Sequence, residues 1–183
     1  MAIPAKLKQF LMQQKIKAKV LKHEKAYTAQ EVAAAQHVPG KQMVKSVLVK
    51  TNKGFILAVL PAIHLIDFAK LKKVAKVSQV SLGNEKDIAK AMPGFEVGAA
   101  PPFGALFELP MVVDKALSED VEIVFNAGTH TDSIKMRYAD YAKVVKPVLG
   151  EFGIHISSKK SKAAKPKAKA KPKTKPKSKP KKK

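Results

Sequence analysis

The spacing of apolar and polar residues changes period along the chain, and each change marks an element. In "IPAKLKQFLMQQKI", Leu7, Phe10, Leu11 and Gln14 recur at helical spacing behind Pro4, which suits a first turn, so residues 1–19 open on an amphipathic helix. "TAQEVAAAQHV" sets Thr28 three residues before Glu31, the capping-box spacing, ahead of alanines that favour helix. "MVKSVLVKT" and "GFILAVLP" are β-rich runs separated by Asn52, Lys53 and Gly54, which predicts a hairpin. "LIDFAKLKKVA" and "NEKDIAKAM" predict short helices, and "LPMVVD", "VEIVFNAG" and "SIKMRY" three further strands. "ADYAKVVKPVL" predicts a closing helix stopped near Pro147. Strands often follow one another directly, which favours an α+β domain with a mixed or antiparallel sheet over a wound parallel one.

Composition narrows the class. The 183 residues, 45% of them hydrophobic, have room for one domain and an appendage. The longest apolar stretch, "GFILAVLPAIHLIDF", is interrupted by Pro61, His64 and Asp67 and falls short of a membrane span. The first twenty residues alternate lysine with apolar residues and do not read as a signal peptide, so a cytoplasmic protein without a membrane partner is the expectation. The absence of cysteine excludes disulfides, thiol nucleophiles and cysteine-based zinc sites.

Charge divides the chain. Of the formal +22, fourteen units belong to lysines of residues 157–183, which leaves +8 for the rest. That segment repeats Lys-Pro and Lys-Ala, holds no acid and nothing apolar larger than alanine, and predicts an extended, disordered polycation. Such an arm binds phosphate backbones by counterion release without reading sequence. Arg137 is the only arginine, so bidentate phosphate recognition is nearly absent.

Several catalytic patterns fail. In "PGKQMVKS", Val44 stands where a phosphate loop needs glycine. His64 and Asp67 would share a helix face as a surface pair, with no second histidine near in sequence to complete a metal set. No G-x-S-x-G elbow occurs. Lys45 is the residue that stands out. In "MVKSVLVKT" the side chains of Met43, Lys45, Val47 and Val49 point one way and those of Val44, Ser46 and Leu48 the other, and both sets are largely apolar. The lysine therefore emerges from a partly buried surface, either snorkelling to water or entering a cleft.

The segment "GFEVGAAPPFG", Gly94 to Gly104, holds three glycines, two prolines and a single charge, Glu96. Taken with Lys45 in "VKSVLV", preceded by His23 and "TAQEVA" and followed by "MVVD" and "FNAGTHTDSIKM", it makes the chain resemble the YbaK and prolyl-tRNA-synthetase-associated editing domains, over roughly Val20 to Phe152. The resemblance implies a single α+β domain over residues 20–156, built around a mixed, curved sheet flanked by helices. It implies a trans-acting aminoacyl-tRNA deacylase that needs no cofactor or metal, with mischarged tRNA as substrate and transient contact with a synthetase in prospect. The family's strand lysine matches Lys45, and its G-x-x-x-P loop matches Gly98 to Pro102. Lys45, Gly98 and Pro102 are thus the expected catalytic positions, with Ser46, Ala99, Ala100, Pro101, His130 and His23 lining the substrate.

An aminoacyl ester is activated, so its hydrolysis needs a positioned water, oxyanion stabilisation and a selective pocket rather than a covalent nucleophile. On that resemblance Lys45 would hold the ester end or the terminal phosphate. His130 would contribute to the pocket, and His23 would make a structural hydrogen bond. Asp114, at the end of "MVVD", is placed to cap the next short helix. The chain departs from the family pattern at Ser46, where many members carry threonine or asparagine. The favoured amino acid is alanine or serine, with cysteine a third. The other reading is a noncatalytic nucleic-acid-binding protein that retains the editing fold.

Overall fold

The computed structural model describes residues 3–156; the lysine-rich segment expected to be disordered lies outside them. Helix α1 (Ala5–Gln13) follows Pro4, and the edge strand β1 is Lys19–Lys22. Helix α2 (Ala29–Ala35) begins at the expected capping box: Thr28 Oγ1 accepts from Glu31 N–H at 3.2 Å, while Glu31 Oε2 accepts from the N–H groups of Thr28 and Tyr27 at 3.1 and 2.9 Å. Strands β2 (Met43–Thr51) and β3 (Gly54–Pro61) form the expected hairpin, and Gly54 takes a φ of 109° that a side chain would resist.

Beyond the hairpin the chain departs from the period-based expectation. Residues His64–Ile66 form a short strand, β4, and helix α3 (Phe68–Ala75) starts later, where Asp67 caps the N–H groups of Ala69 and Lys70. His64 and Asp67 therefore share no helix face; His64 lies 3.8 Å from Asp114 instead. Strand β5 is Val80–Leu82, and helix α4 (Glu85–Ala91) carries a second capping box between Asn84 and Asp87. Strands β6 (Met111–Asp114), β7 (Glu122–Asn126) and β8 (Asp132–Arg137) and helix α5 (Tyr138–Val145) follow, then β9 (Val148–Gly150) and β10 (Gly153–His155). As expected, Asp114 caps the single turn after β6, accepting from Ala116 N–H at 3.1 Å.

The strands assemble into one mixed, curved sheet ordered β1-β8-β7-β2-β3-β6-β9, with β5 also on β2, and β4 and β10 make a separate antiparallel pair. The β2–β7, β3–β6 and β6–β9 pairs are parallel. Alternation along β2 separates two cores. Val44 and Leu48 face the larger one, with Leu7 of α1, Ile88 of α4 and Tyr141 of α5. Met43 packs against Val32 of α2 and Val124 of β7, and Val49 joins Leu71 of α3 and Phe152. Fully burying a leucine such as Leu57, Leu60 or Leu71 contributes about 1.5 to 3 kcal/mol, so this double-sided packing holds β2 and β3 rigidly. No helix among the described residues is long and apolar enough to cross a membrane.

Candidate active site at the Lys45 face

Strand β2 changes neighbours part-way along. Met43 and Val44 pair with β7, and Val49 to Thr51 pair with β5, so residues 45–47 have a ladder partner only in β3. Continuing the β2–β7 register by one residue sets Lys45 beside Asn126, the last residue of β7, which itself pairs with Ser133 of β8. Cross-strand partners share a face. Lys45, Asn126 and Ser133 thus make a polar row across three strands, on the face that α2 covers further along. Asn126 and Ser133 are buried, and neither Asn126 Oδ1 nor Ser133 Oγ has a partner. Unpartnered buried polar atoms are uncommon in a folded interior, which makes this row a candidate for meeting a ligand.

Lys45 is half-buried, and burial holds its pKa below the ordinary lysine value. Its Nζ donates to the carbonyl of Ala62 at 3.3 Å, a carbonyl that also accepts from Gln30 of α2 at 3.4 Å. An ammonium with three donors, poorly hydrated and sharing one neutral acceptor, gains strongly from an incoming negative charge.

The Gly94–Gly104 segment reaches this face with one residue. Gly98 is exposed, adopts a φ of 86°, and its carbonyl accepts a long 3.5 Å hydrogen bond from Asn126. A Cβ there would find ordinary contacts, 3.8 Å from Tyr27 O and 3.9 Å from His130 Cε1, so the backbone conformation and not crowding calls for glycine. His130 stands beside Gly98. Its Nδ1 lies 3.0 Å from the carbonyl of Ala26, which can only accept, so Nδ1 carries a proton, while Nε2 lies 3.9 Å from the Glu96 carboxylate. Its ring packs on Tyr27 with centroids 4.9 Å apart, and its backbone N–H donates to Glu96 at 2.6 Å.

The remaining expected positions divide. Ala99, Ala100, Pro101 and Pro102 are buried and act as the anchor of the loop. Ala99 O accepts from Gly128 N–H at 2.9 Å, and Pro102 O accepts from the Tyr141 hydroxyl at 2.9 Å, inside the larger core. Pro102 therefore faces the scaffold. Ser46 lies on the opposite face from Lys45, among Val44, Leu48 and Val59, with its hydroxyl buried and unpartnered. His23 extends the β1–β8 pairing through its N–H to Thr131 O, with Nδ1 2.7 Å from Glu24 O and Nε2 buried without a partner. Tyr27, Glu96, Asn126 and Ser133 were not singled out from the sequence. Asn126 could have been found as the polar residue closing an otherwise apolar strand. Among the described residues no group of three or more histidines and carboxylates is placed to hold a metal ion.

Comparison with known proteins fits this geometry. Residues 23–144 match the aminoacyl-tRNA editing domain family, and the chain belongs to that family. A curated relative, the multifunctional Ser/Thr-tRNA deacylase ProXp-y of Escherichia coli (strain K12), is 28% identical over 139 residues, which is 73% of this chain and 83% of the relative. A proline–tRNA ligase of Xylella fastidiosa (strain Temecula1) is 38% identical over 99 residues, 54% of this chain and 17% of the ligase. The chain spans less than a fifth of the length of such ligases. Among solved structures, a candidate trans-editing enzyme for prolyl-tRNA synthetase superposes with a TM-score of 0.72 at 19% identity, covering 82% of this chain and 98% of that one. The fold is shared.

Proposed function

We propose that this chain is a trans-acting deacylase that hydrolyses the ester linking a small amino acid to a mischarged tRNA. The observation that carries the proposal is the sequence of neighbours that runs from half-buried Lys45 through Asn126 to the exposed Gly98 backbone and the His130 ring. Lys45 there offers positive charge to the terminal phosphate or to the oxyanion that develops as water attacks the ester carbonyl. A donor aimed at developing charge in a poorly hydrated site is worth far more than one in water. Burial lowers its pKa, which brings the neutral amine of a general base nearer; the ammonium's donor reach, seen in its bond to Ala62 O, is what supports electrostatic stabilisation and positioning. Gly98 and the orphaned oxygens of Asn126 and Ser133 supply acceptors for the substrate's ammonium or for the attacking water. Tyr27 and His130 limit the size of the side chain admitted. Serine is the amino acid favoured, being both among those expected from the loop and named for the Escherichia coli relative. The lysine-rich tail adds nonspecific tRNA affinity, and the protein acts in the cytoplasm.

The decisive experiment incubates the purified protein with tRNA charged with serine, threonine, alanine or cysteine and follows loss of the ester. Lys45→Ala should slow hydrolysis at least about 100-fold while tRNA affinity stays within about threefold. Undiminished hydrolysis by Lys45→Ala would overturn the assignment of Lys45. Retained tRNA binding with no turnover of any charged tRNA would show the noncatalytic reading to be the right one.

A further inference from the structure

Strand β8 carries its polar row beyond the active site. Ile134 and Met136 face the larger core, so Ser133, Lys135 and Arg137 face the other way, toward the side that bears Lys45. The register continues the pattern across the sheet: Lys135 pairs with Lys19 of β1 and with Val124 of β7, and Arg137 pairs with Glu122. Lys17, Lys19, Lys135 and Arg137 line a shallow depression of about 530 Å³ at this edge. An adjoining one of about 460 Å³ shares Lys17 and Arg137 and adds Lys15 and Lys143. The second depression lies where α5 packs on the larger core, so on the strand face itself four cations, Lys17, Lys19, Lys135 and Arg137, meet one carboxylate, Glu122, 2.6 Å from Lys135.

Lysine on an edge strand is a common guard against unwanted strand pairing, which would account for Lys19. It does not account for Lys135 and Arg137, because β8 is an interior strand between β1 and β7. The chain's single arginine is also spent here. Arginine suits phosphate through its two-pronged geometry. At about 4.8 Å per strand and 3.3 Å per residue, Lys135 lies two strands across and two residues along from Lys45, roughly 12 Å, a span that about two nucleotides bridge.

We infer that the β1–β8 face is the docking track for the RNA backbone, guiding the phosphates that lead to the 3′ end toward Lys45. The inference rests on the deacylase reading for its substrate and adds the surface that receives it. The contacts are to phosphate, so they orient the RNA without reading its sequence.

The test uses the full chain, tail included, and compares two triple variants of equal charge change. One is Lys19→Gln/Lys135→Gln/Arg137→Gln. The other is Lys8→Gln/Lys86→Gln/Lys90→Gln, three exposed lysines on α1 and α4 over the opposite face. Affinity for uncharged tRNA is measured as a function of salt. The first variant should bind at least about tenfold more weakly at 0.1 M salt, with the logarithmic salt slope reduced by about one for each cation removed. The second should change affinity less than about threefold, a loss set by overall charge. The single exposed substitution Lys19→Glu should follow the first variant in direction, which guards against a folding defect. Equal weakening in both triples, or none in the first, would overturn the docking track. The tRNA binding comparison stands even where no charged tRNA is hydrolysed, so failure of the track and failure of the deacylase reading are told apart.

Discussion

Two buried polar regions of this molecule are built on opposite terms. At the end of β6, Asp114 is 3% exposed and fully employed: it accepts from Ala116 N–H at 3.1 Å, Phe152 N–H at 2.9 Å and Gly153 N–H at 2.6 Å. It joins β6 to the segment that carries β10. Across the sheet, Asn126 and Ser133 are as deeply buried but leave one oxygen each unpartnered, and Lys45 beside them holds a single weak acceptor. A satisfied carboxylate secures the scaffold, whereas an unsatisfied row costs stability and is retained where something else is to complete it.

Substitutions can break that contrast or sharpen it. Asp114→Ala should give the largest effect, a loss of roughly 3 kcal/mol in urea unfolding, because it strands three N–H groups at a buried joint. A loss below about 1 kcal/mol would place Asp114 outside the scaffold. Lys45→Met should act in the opposite sense, raising stability by about 1 kcal/mol as a desolvated ammonium gives way to an apolar group of similar length, while hydrolysis is lost. If instead it destabilised as much as Asp114→Ala, the lysine would belong to the architecture. The smallest effect concerns His64. Burial holds its pKa below the ordinary 6.5, against an opposing pull from Asp114. The unfolded chain therefore takes up this proton at a higher pH than the folded one. Stability contributed at neutral pH should decline as pH falls below 6.5, and His64→Gln should flatten that decline in melting curves taken from pH 7.5 to 5.5. A decline of the same slope in the variant would move its origin elsewhere.

The elements legible in the sequence are those decided by neighbours along the chain. Thr28 with Glu31 and Asn52-Lys53-Gly54 determine a helix start and a hairpin within a few residues. Strands β5 and β9, three residues each, are too short to show a period and exist because the longer β2 and β6 offer them pairing partners. His64 reads as helical beside Leu65 and Ile66, yet β4 forms because β10 pairs with it from ninety residues away. The site divides in the same way. A lysine among the apolar positions of β2 makes Lys45 stand out, and the family resemblance of the loop supplies Gly98. That Pro102 turns inward depends on Tyr141, and that Lys45 has Asn126 for a neighbour depends on a parallel pairing no local pattern encodes.

The loop that carries Gly98 is stitched to the turn that carries His130 from both sides. Glu96 N–H donates to Gly128 O at 3.0 Å, Gly128 N–H to Ala99 O at 2.9 Å, and His130 N–H to the Glu96 carboxylate at 2.6 Å. Under the proposed function these two segments are the jaws that measure the amino acid. Spreading them to admit a bulkier one would mean rupturing several hydrogen bonds together, so the size limit is a matter of compliance as much as of volume. Loosening a stitch, for instance at Glu96, would blunt discrimination before it touched the chemistry, in the way a worn gauge still closes but no longer sorts.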